Sequence, residues 1–284
     1  MKTATKPAAK ETKQAKTAEE TKQTTVAAPV GGAVGQVLDF ASDAGKGLEN
    51  ADKDSFAIPF LGILQSNSPQ CAPTEEGGIE GAKQGMLFNS VTGELMKTAV
   101  VIPVAFQRRY LGWAKRNDGG GFKGEFPVLD VDTRKIKWDF EQQDGGGTLM
   151  VTEDGFVLKD TRMHFILALR EDGSFMPALM SLSSTQIKRS KRWLALIQNI
   201  TMKTADGKPF NPPSFSHKYQ IKTVREENAK GAWYSAEISL LGVVEDANLY
   251  NAAKAFHAQI VAGKVDIAPP VSDDDGAGGD NGKF

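Results

Sequence analysis

Four cations fall within five consecutive residues of the sequence, at Lys188, Arg189, Lys191 and Arg192. Such side chains bind phosphate and carboxylate oxygens through charge-assisted hydrogen bonds. Like charges at this spacing repel one another, and no acidic residue stands four positions further on to offset them. Two explanations are open: a solvated helix face, or a surface held for an anionic partner. The rest of the chain has to decide between them.

Three further stretches, residues 108–116, 135–138 and 217–222, combine cations with aromatic side chains. Single-stranded nucleic acid is bound by cationic grooves in which aromatic rings stack on bases, each stack contributing about 1–3 kcal/mol. The alternative is that these rings belong to the core or anchor loops. The nucleic-acid-binding residues that we predict are Arg108, Arg109, Tyr110, Trp113, Lys115, Arg116, Trp138, Lys188, Arg189, Lys191, Arg192, Lys218 and Tyr219.

Residues typical of catalysis are few and scattered. The three histidines, His164, His217 and His257, have no metal-ligand spacing, and no nucleotide-binding or hydrolase motif is present. Asp130 and Asp132 form a pair of the kind that nuclease metal sites use, so a metal nuclease is a third alternative. The sequence predicts a protein that is not an enzyme and has no cofactor or metal site.

Cysteine content and hydropathy indicate the compartment. The single cysteine, Cys71, excludes an intramolecular disulfide framework and a cysteine-rich zinc site. No apolar run reaches the ~18 residues that a membrane span needs. The N-terminal residues have lysine and threonine but no apolar core typical of a secretory signal. We therefore predict a soluble protein of the cytoplasm without a membrane partner.

The cation cluster is predicted to lie on a helix over residues 183–200. Ser183 followed by Gln186 matches a capping box, in which the two side chains satisfy backbone donors at a helix start. At about 100° per residue, one arc of this helix is apolar and the opposite arc is cationic. The apolar arc contains Ile187, Trp193, Leu194, Ile197 and Ile200.

Strands are predicted on both sides of this helix. Residues 98–110 are rich in β-branched side chains, residues 162–170 and 175–182 form a hairpin, and residues 216–224 and 232–241 form two more strands. Residues 113–147, with two glycine triplets, resemble a long loop. A second helix is predicted over residues 246–262, with Asp246 as its cap and Gly263 at its end.

This order predicts a β-rich α+β fold: an OB-like barrel with a helix between strands 3 and 4, plus a C-terminal packing helix and disordered termini. Residues 1–50 form a Lys/Thr/Ala-rich and then Gly-rich N-terminal arm, whose early part has too few apolar side chains to order. Residues 51–268 form one nucleic-acid-binding domain, and residues 269–284 a disordered acidic tail ending in Phe.

The C-terminal tail combines negative charge with a terminal aromatic ring. Its acidic residues and its last residue are Asp273, Asp274, Asp275, Asp280 and Phe284. A disordered acidic segment of this kind can occupy the cationic groove of its own protein until nucleic acid displaces it. The terminal ring and carboxylate also offer a contact to partner proteins, and the alternative is a tail that only aids solubility.

With this tail, the basic helix between strands and the basic-aromatic stretches, the chain resembles the single-stranded-DNA-binding proteins of tailed bacteriophages. The resemblance implies an OB-fold core that binds and protects single strands during replication and recombination. It also implies tail contacts to polymerase or helicase. The tail is more dilute in acids and the N-terminal arm longer than this family suggests. A structural or scaffold-type phage protein without a specific nucleic-acid role is the main alternative, and a homodimer is possible for either.

Overall fold

A computed structural model of the 284-residue chain describes residues 40, 42–44, 46–51, 57–115, 120–142, 147–229 and 231–265. The chain divides into two compact units, Met1–Glu49 and Asn50–Phe284. Residues 1–39 of the predicted arm and the predicted tail lie outside the described residues. In the first unit, the described residues form turns, with an ion pair between Lys46 and Asp43. The elements that follow all belong to the second unit.

Antiparallel strands make up most of the second unit. The strands of its main sheet are β4 Thr98–Trp113, β5 Phe122–Phe126, β6 Trp138–Gln142, β7 Thr148–Thr152, β8 Val157–Leu169, β9 Phe175–Ser183, β12 His217–Asn228 and β13 Gly231–Val243. A small sheet contains β1 Leu61–Ile63, β2 Leu87–Asn89 and β3 Leu95–Met96, and a short hairpin contains β10 Met202–Lys203 and β11 Pro209–Phe210. Three helices accompany them: α1 Val128–Asp132, α2 Ile187–Gln198 and α3 Ala247–Val261.

The two long antiparallel strands β4 and β8 pair at the centre of the main sheet. Its strand order is β13-β12-β4-β8-β7-β6. Different strands pair with the two ends of β4: β12 with residues 98–101 and β5 with residues 110–113. Likewise, β9 pairs with β8 over most of its length and β7 only at its start. The described strands do not close into a barrel, since β13 and β6 end the sheet on opposite sides. The β-rich α+β class is confirmed, and the OB-like barrel is not.

Two core layers cover the two faces of this sheet. Val101 and Ile102 are consecutive in β4 and point to opposite faces, as side chains of a strand alternate. Val101 packs in a cluster with Trp193 of α2, whereas Ile102 packs in a cluster with Phe256 of α3. The two helices therefore lie on opposite faces, and each is fixed by a buried aromatic ring.

The C-terminal packing helix is confirmed, including its cap. The carboxylate of Asp246 accepts hydrogen bonds from the backbone N–H groups of Asn248, at 2.7 Å, and Leu249, at 3.3 Å. Two of the otherwise unpaired donors at the helix start are thereby satisfied. The buried face of α3 carries Ala253, Phe256 and Ile260.

The predicted capping box of α2 is wrong. Ser184–Gln186 form a 3-10 turn before the helix, and the Ser183 side chain makes no capping hydrogen bond. Gln186 instead donates to the Tyr234 carbonyl, at 2.8 Å, and accepts from the Ala236 N–H, at 3.1 Å. β13 lies at the edge of the sheet, so its outward backbone N–H and carbonyl groups are available to side chains. The Gln186 amide binds one of each and therefore does not cap the start of the helix.

The described residues between 113 and 147 contain more regular structure than the predicted loop. They contain the end strand β5, the short helix α1 and the edge strand β6. Val131 of α1 packs against Tyr110 and Leu158 in a third buried cluster. Asp130 and Asp132 lie on this helix. Among the described residues no helix is long and apolar enough to cross a membrane.

Candidate nucleic-acid interface

Helix α2 is fixed to the sheet through its apolar face. Trp193 is fully buried, and its ring stacks on His164 of β8 with centroids 4.5 Å apart and meets the edge of Tyr219 at 5.9 Å. One turn earlier, the Ser190 hydroxyl lies 2.7 Å from His164 Nε2. Burial, helped by Arg162, lowers the pKa of His164 to about 3. The imidazole is therefore neutral near pH 7. The contacts of Trp193 and Ser190 with His164 hold the outer face of α2 in a fixed orientation.

The first two cations of α2 are paired with a carboxylate from β12. Lys188 Nζ lies 3.0 Å from Glu226 Oε1, and the Arg189 guanidinium donates to the same oxygen. The Lys188 side chain remains 59% exposed, whereas Arg189 and Glu226 are each only 18% exposed. Glu226 stands 37 and 38 positions along the chain from these cations, so helical spacing could not indicate it.

The other two cations of α2, Lys191 and Arg192, are exposed. Neither has an ion-pair partner within the described part of the chain. We call Lys188, Arg189, Lys191 and Arg192 together the α2 basic face. Glu226 offsets part of this charge at Lys188 and Arg189. At Lys191 and Arg192, one turn later, no carboxylate of the described residues competes with a bound anion.

Arg108 and Arg109 do not form one site, because they point to opposite faces of β4. Arg108 donates to Asp160, at 3.0–3.3 Å, and to Asp132, and also to the Tyr110 hydroxyl, at 2.6 Å. The hydrogen bonds that Arg108 donates to these carboxylates, Asp160 first, raise the pKa of the Arg108 guanidinium. Both arginines are only about a quarter exposed, and their partners occupy the positions that a phosphate would need.

The remaining cations near β4 are similarly engaged. Arg109 pairs with Glu125 of β5 and with Gln107. Lys115 pairs with Glu141 of β6. Arg116 lies outside the described residues. Arg108, Arg109 and Lys115 therefore contact carboxylates of β5, α1, β6 and β8, and their phosphate contacts stay a prediction.

Three of the four predicted stacking residues are buried. Tyr219 is fully buried beside Trp193, Tyr110 packs on Val131, and Trp113 packs on Phe122 with ring centroids 5.5 Å apart. Burial raises the pKa of both tyrosines to about 12, with the hydrogen bond to Asp132 adding to the effect at Tyr110. These three rings are buried in this structure, and the stacking of bases on them stays a prediction.

Trp138 and Lys218 also lie away from α2. Trp138 is half-buried, donates to the Val131 carbonyl at 3.1 Å, and has the Arg134 guanidinium 3.5 Å over its ring. Lys218 is half-buried in β12, next to an irregularity of the strand register between Lys218 and Tyr219. Within the described part of the chain, the predicted residues do not all lie in one groove: those of α2 share one surface, and Arg108, Tyr110 and Trp138 lie together in a second group.

An aromatic residue that sequence reasoning missed does lie next to the α2 basic face. Trp233 of β13 stands opposite Glu226 in the strand register, and its indole Nε1 donates to Glu226 Oε2 at 3.0 Å. Trp233 is half-buried, so part of its ring meets solvent. The signal that could have found it is the hairpin itself: a turn near residue 230 places Trp233 opposite Glu226.

A protein-family model built on the Pam3 phage gp34-like protein matches residues 21–266. The chain belongs to the Pam3 phage gp34-like family. No curated protein matches the chain, and no solved structure matches it. The family match supports the phage part of the predicted resemblance and leaves the role in DNA binding as a prediction.

In this gp34-like chain, the two aspartates considered for a nuclease each contact a cation. Asp132 pairs with Arg108, and the carboxylate of Asp130 lies 3.3 Å from Lys135 Nζ. Across the described ranges, no three side chains of His, Cys, Asp or Glu come together as a group that could hold a metal ion. The predicted partner-binding residues Asp273, Asp274, Asp275, Asp280 and Phe284 lie outside the described residues.

Proposed function

We propose that this gp34-like protein binds single-stranded DNA through the α2 basic face, without catalysing a reaction. The supporting observation is the pair Lys191 and Arg192, exposed on a helix that the buried Trp193 fixes to the sheet. Two cations that have no carboxylate partner among the described residues, held in a fixed orientation, form a site for successive phosphates of a nucleic-acid backbone. This mode of binding needs a helix supported by a sheet and does not need a closed OB-like barrel.

The preference for single strands rests on Trp233. Its half-buried ring lies at the end of the α2 basic face, linked to Lys188 and Arg189 through Glu226. Unpaired bases present faces that stack on such a ring, whereas bases within a duplex do not. Together with membership of a phage family, this supports protection of exposed strands during phage DNA replication and recombination in the host cytoplasm.

The acidic tail has two roles in this proposal. Its four aspartates compete with DNA for the α2 basic face, and Phe284 with its carboxylate recruits replication proteins such as a polymerase or a helicase. The support is compositional: the last 13 residues carry four Asp and one Lys. Removing the last 12 residues should therefore tighten DNA binding and abolish partner recruitment, and an unchanged affinity would contradict the autoinhibitory role.

The test of DNA binding is a titration of a fluorescent single-stranded oligonucleotide, and of its duplex, across a salt series. The test variant is Lys191→Gln/Arg192→Gln. On single strands each phosphate contact contributes about −0.7 to the slope of log K against log[salt]. The variant should lose about 1.4 of that slope and bind about 25-fold more weakly at 0.1 M salt.

Lys254→Gln/Lys264→Gln is the matched control, since it removes the same charge from exposed lysines in and after α3, on the other side of the sheet. Its affinity and slope should equal those of the wild-type protein. Equal losses in both variants would show that only net charge matters. Equal binding of duplex and single strand would contradict the preference that we assign to Trp233.

A structural or scaffold-type phage protein is the second candidate. It is favoured by the carboxylate partners of five predicted phosphate contacts, and by the edge of β13. No described strand pairs with this edge, which the Gln186 side chain contacts at Tyr234 and Ala236. Further along it, Leu240, Leu241 and Val243 are exposed. This candidate predicts ordered assembly in light scattering that Leu241→Lys abolishes. A monomer at all concentrations would eliminate it.

A further inference from the structure

The Glu226 carboxylate has four donors around it. Oε1 accepts from Lys188 Nζ and Arg189, while Oε2 accepts from the Ser235 hydroxyl, at 2.7 Å, and the Trp233 indole, at 3.0 Å. The neutral donors come from β13 and hold the carboxylate in place. The cationic donors come from α2, the helix to which we assign the phosphate contacts.

The charge of Glu226 is stable under ordinary conditions. The hydrogen bond from Ser235, and then those from Lys188 and Arg189, lower the pKa of Glu226 to about 2 against the opposing effect of burial. The carboxylate therefore keeps its negative charge near pH 7. It offsets one of the two positive charges at the start of α2, and it occupies the oxygen positions that a phosphate would take.

We propose that Glu226 is an internal competitor of the DNA backbone, which limits the phosphate contacts of α2 to Lys191 and Arg192. This inference rests on the proposed function. A phosphodiester presents anionic oxygens to the same ammonium and guanidinium donors that Glu226 now engages. A strand must therefore replace an existing ion pair in order to use Lys188 or Arg189, whereas it replaces only counterions at Lys191 and Arg192.

The competitor gives the binding site a graded strength. Lys188 is more than half exposed, so it leaves Glu226 more readily than Arg189, whose guanidinium is largely buried. Removing the charge of Glu226 frees Lys188 first. By the counterion-release relation, one additional contact strengthens binding about 5-fold at 0.1 M salt and steepens the salt slope by about 0.7.

The test compares Lys188→Gln with Lys191→Gln, each in the wild-type and in the Glu226→Gln background, by titration of single-stranded DNA across salt. In the wild-type background, Lys191→Gln should lose about 0.7 of slope and Lys188→Gln almost none. In the Glu226→Gln background both should lose about 0.7, and Glu226→Gln alone should bind about 5-fold more tightly.

Ser235→Ala is the matched control, since it removes one hydrogen bond from the same carboxylate and leaves its charge. Its affinity should stay at the wild-type value, and tightening equal to that of Glu226→Gln would overturn the competitor role. If Glu226→Gln does not fold, the comparison of Lys188→Gln with Lys191→Gln in the wild-type background still tests the inference. Equal losses of salt slope for these two variants would overturn it. Absence of any single-strand binding by the wild-type protein contradicts the proposed function instead.

Discussion

Replacing Trp193 by alanine tests whether one buried ring fixes α2 to the sheet. The side chain is fully buried, stacks on His164 and meets the edge of Tyr219. A Trp side chain of this kind buries about 150–250 Å², and its truncation to alanine in a core costs about 3–5 kcal/mol. We expect Trp193→Ala to lower the free energy of unfolding by about 4 kcal/mol, because the truncation leaves a cavity among side chains that are themselves buried.

Urea unfolding followed by far-ultraviolet circular dichroism measures this loss, since tryptophan fluorescence would change with the substitution itself. Phe140→Ala is the matched control, because Phe140 is an aromatic residue of β6 that is 64% exposed. Its ring meets that of Trp138 with centroids 5.1 Å apart, so this control should change the free energy of unfolding by no more than about 1 kcal/mol. A loss below about 1 kcal/mol for Trp193→Ala would refute the anchoring role of this ring.

Three further predictions follow from buried or capping contacts. The pKa of His164 is lowered to about 3 in the folded protein, so below about pH 6.5 the unfolded chain takes up a proton that the folded chain does not. Stability should therefore fall as the pH drops from about 6.5. His164→Gln should reduce this dependence and leave the smaller effect of His217, whose pKa burial also lowers. Gln186→Ala should cost about 1–3 kcal/mol in urea unfolding, because the buried Ala236 N–H of β13 loses its acceptor, while the Tyr234 carbonyl keeps the Gln65 amide as a donor; a cost near zero would contradict the edge contact. Asp246→Ala should cost about 1 kcal/mol, whereas Asp246→Asn, which keeps an accepting oxygen, should cost less.

Local patterns in the sequence predicted the elements of this fold well. The helix over residues 187–198, the capped helix α3 and the β8–β9 hairpin were all predicted. Helical periodicity, the Asp246 cap and runs of β-branched residues are properties of a few neighbouring positions. The same locality explains the failure of the barrel prediction, since the order of the elements does not state which strands pair.

The candidate site depended much more on the tertiary structure. The sequence by itself placed four cations on one helix and predicted the apolar arc that includes Trp193. Only the fold decided that Glu226 neutralises part of this charge, that Asp160 and Asp132 hold Arg108, and that Tyr219 is buried. The physical reason is that these partners stand 24 to 52 positions apart along the chain, and only the packing of strands and helices in the folded chain brings them together.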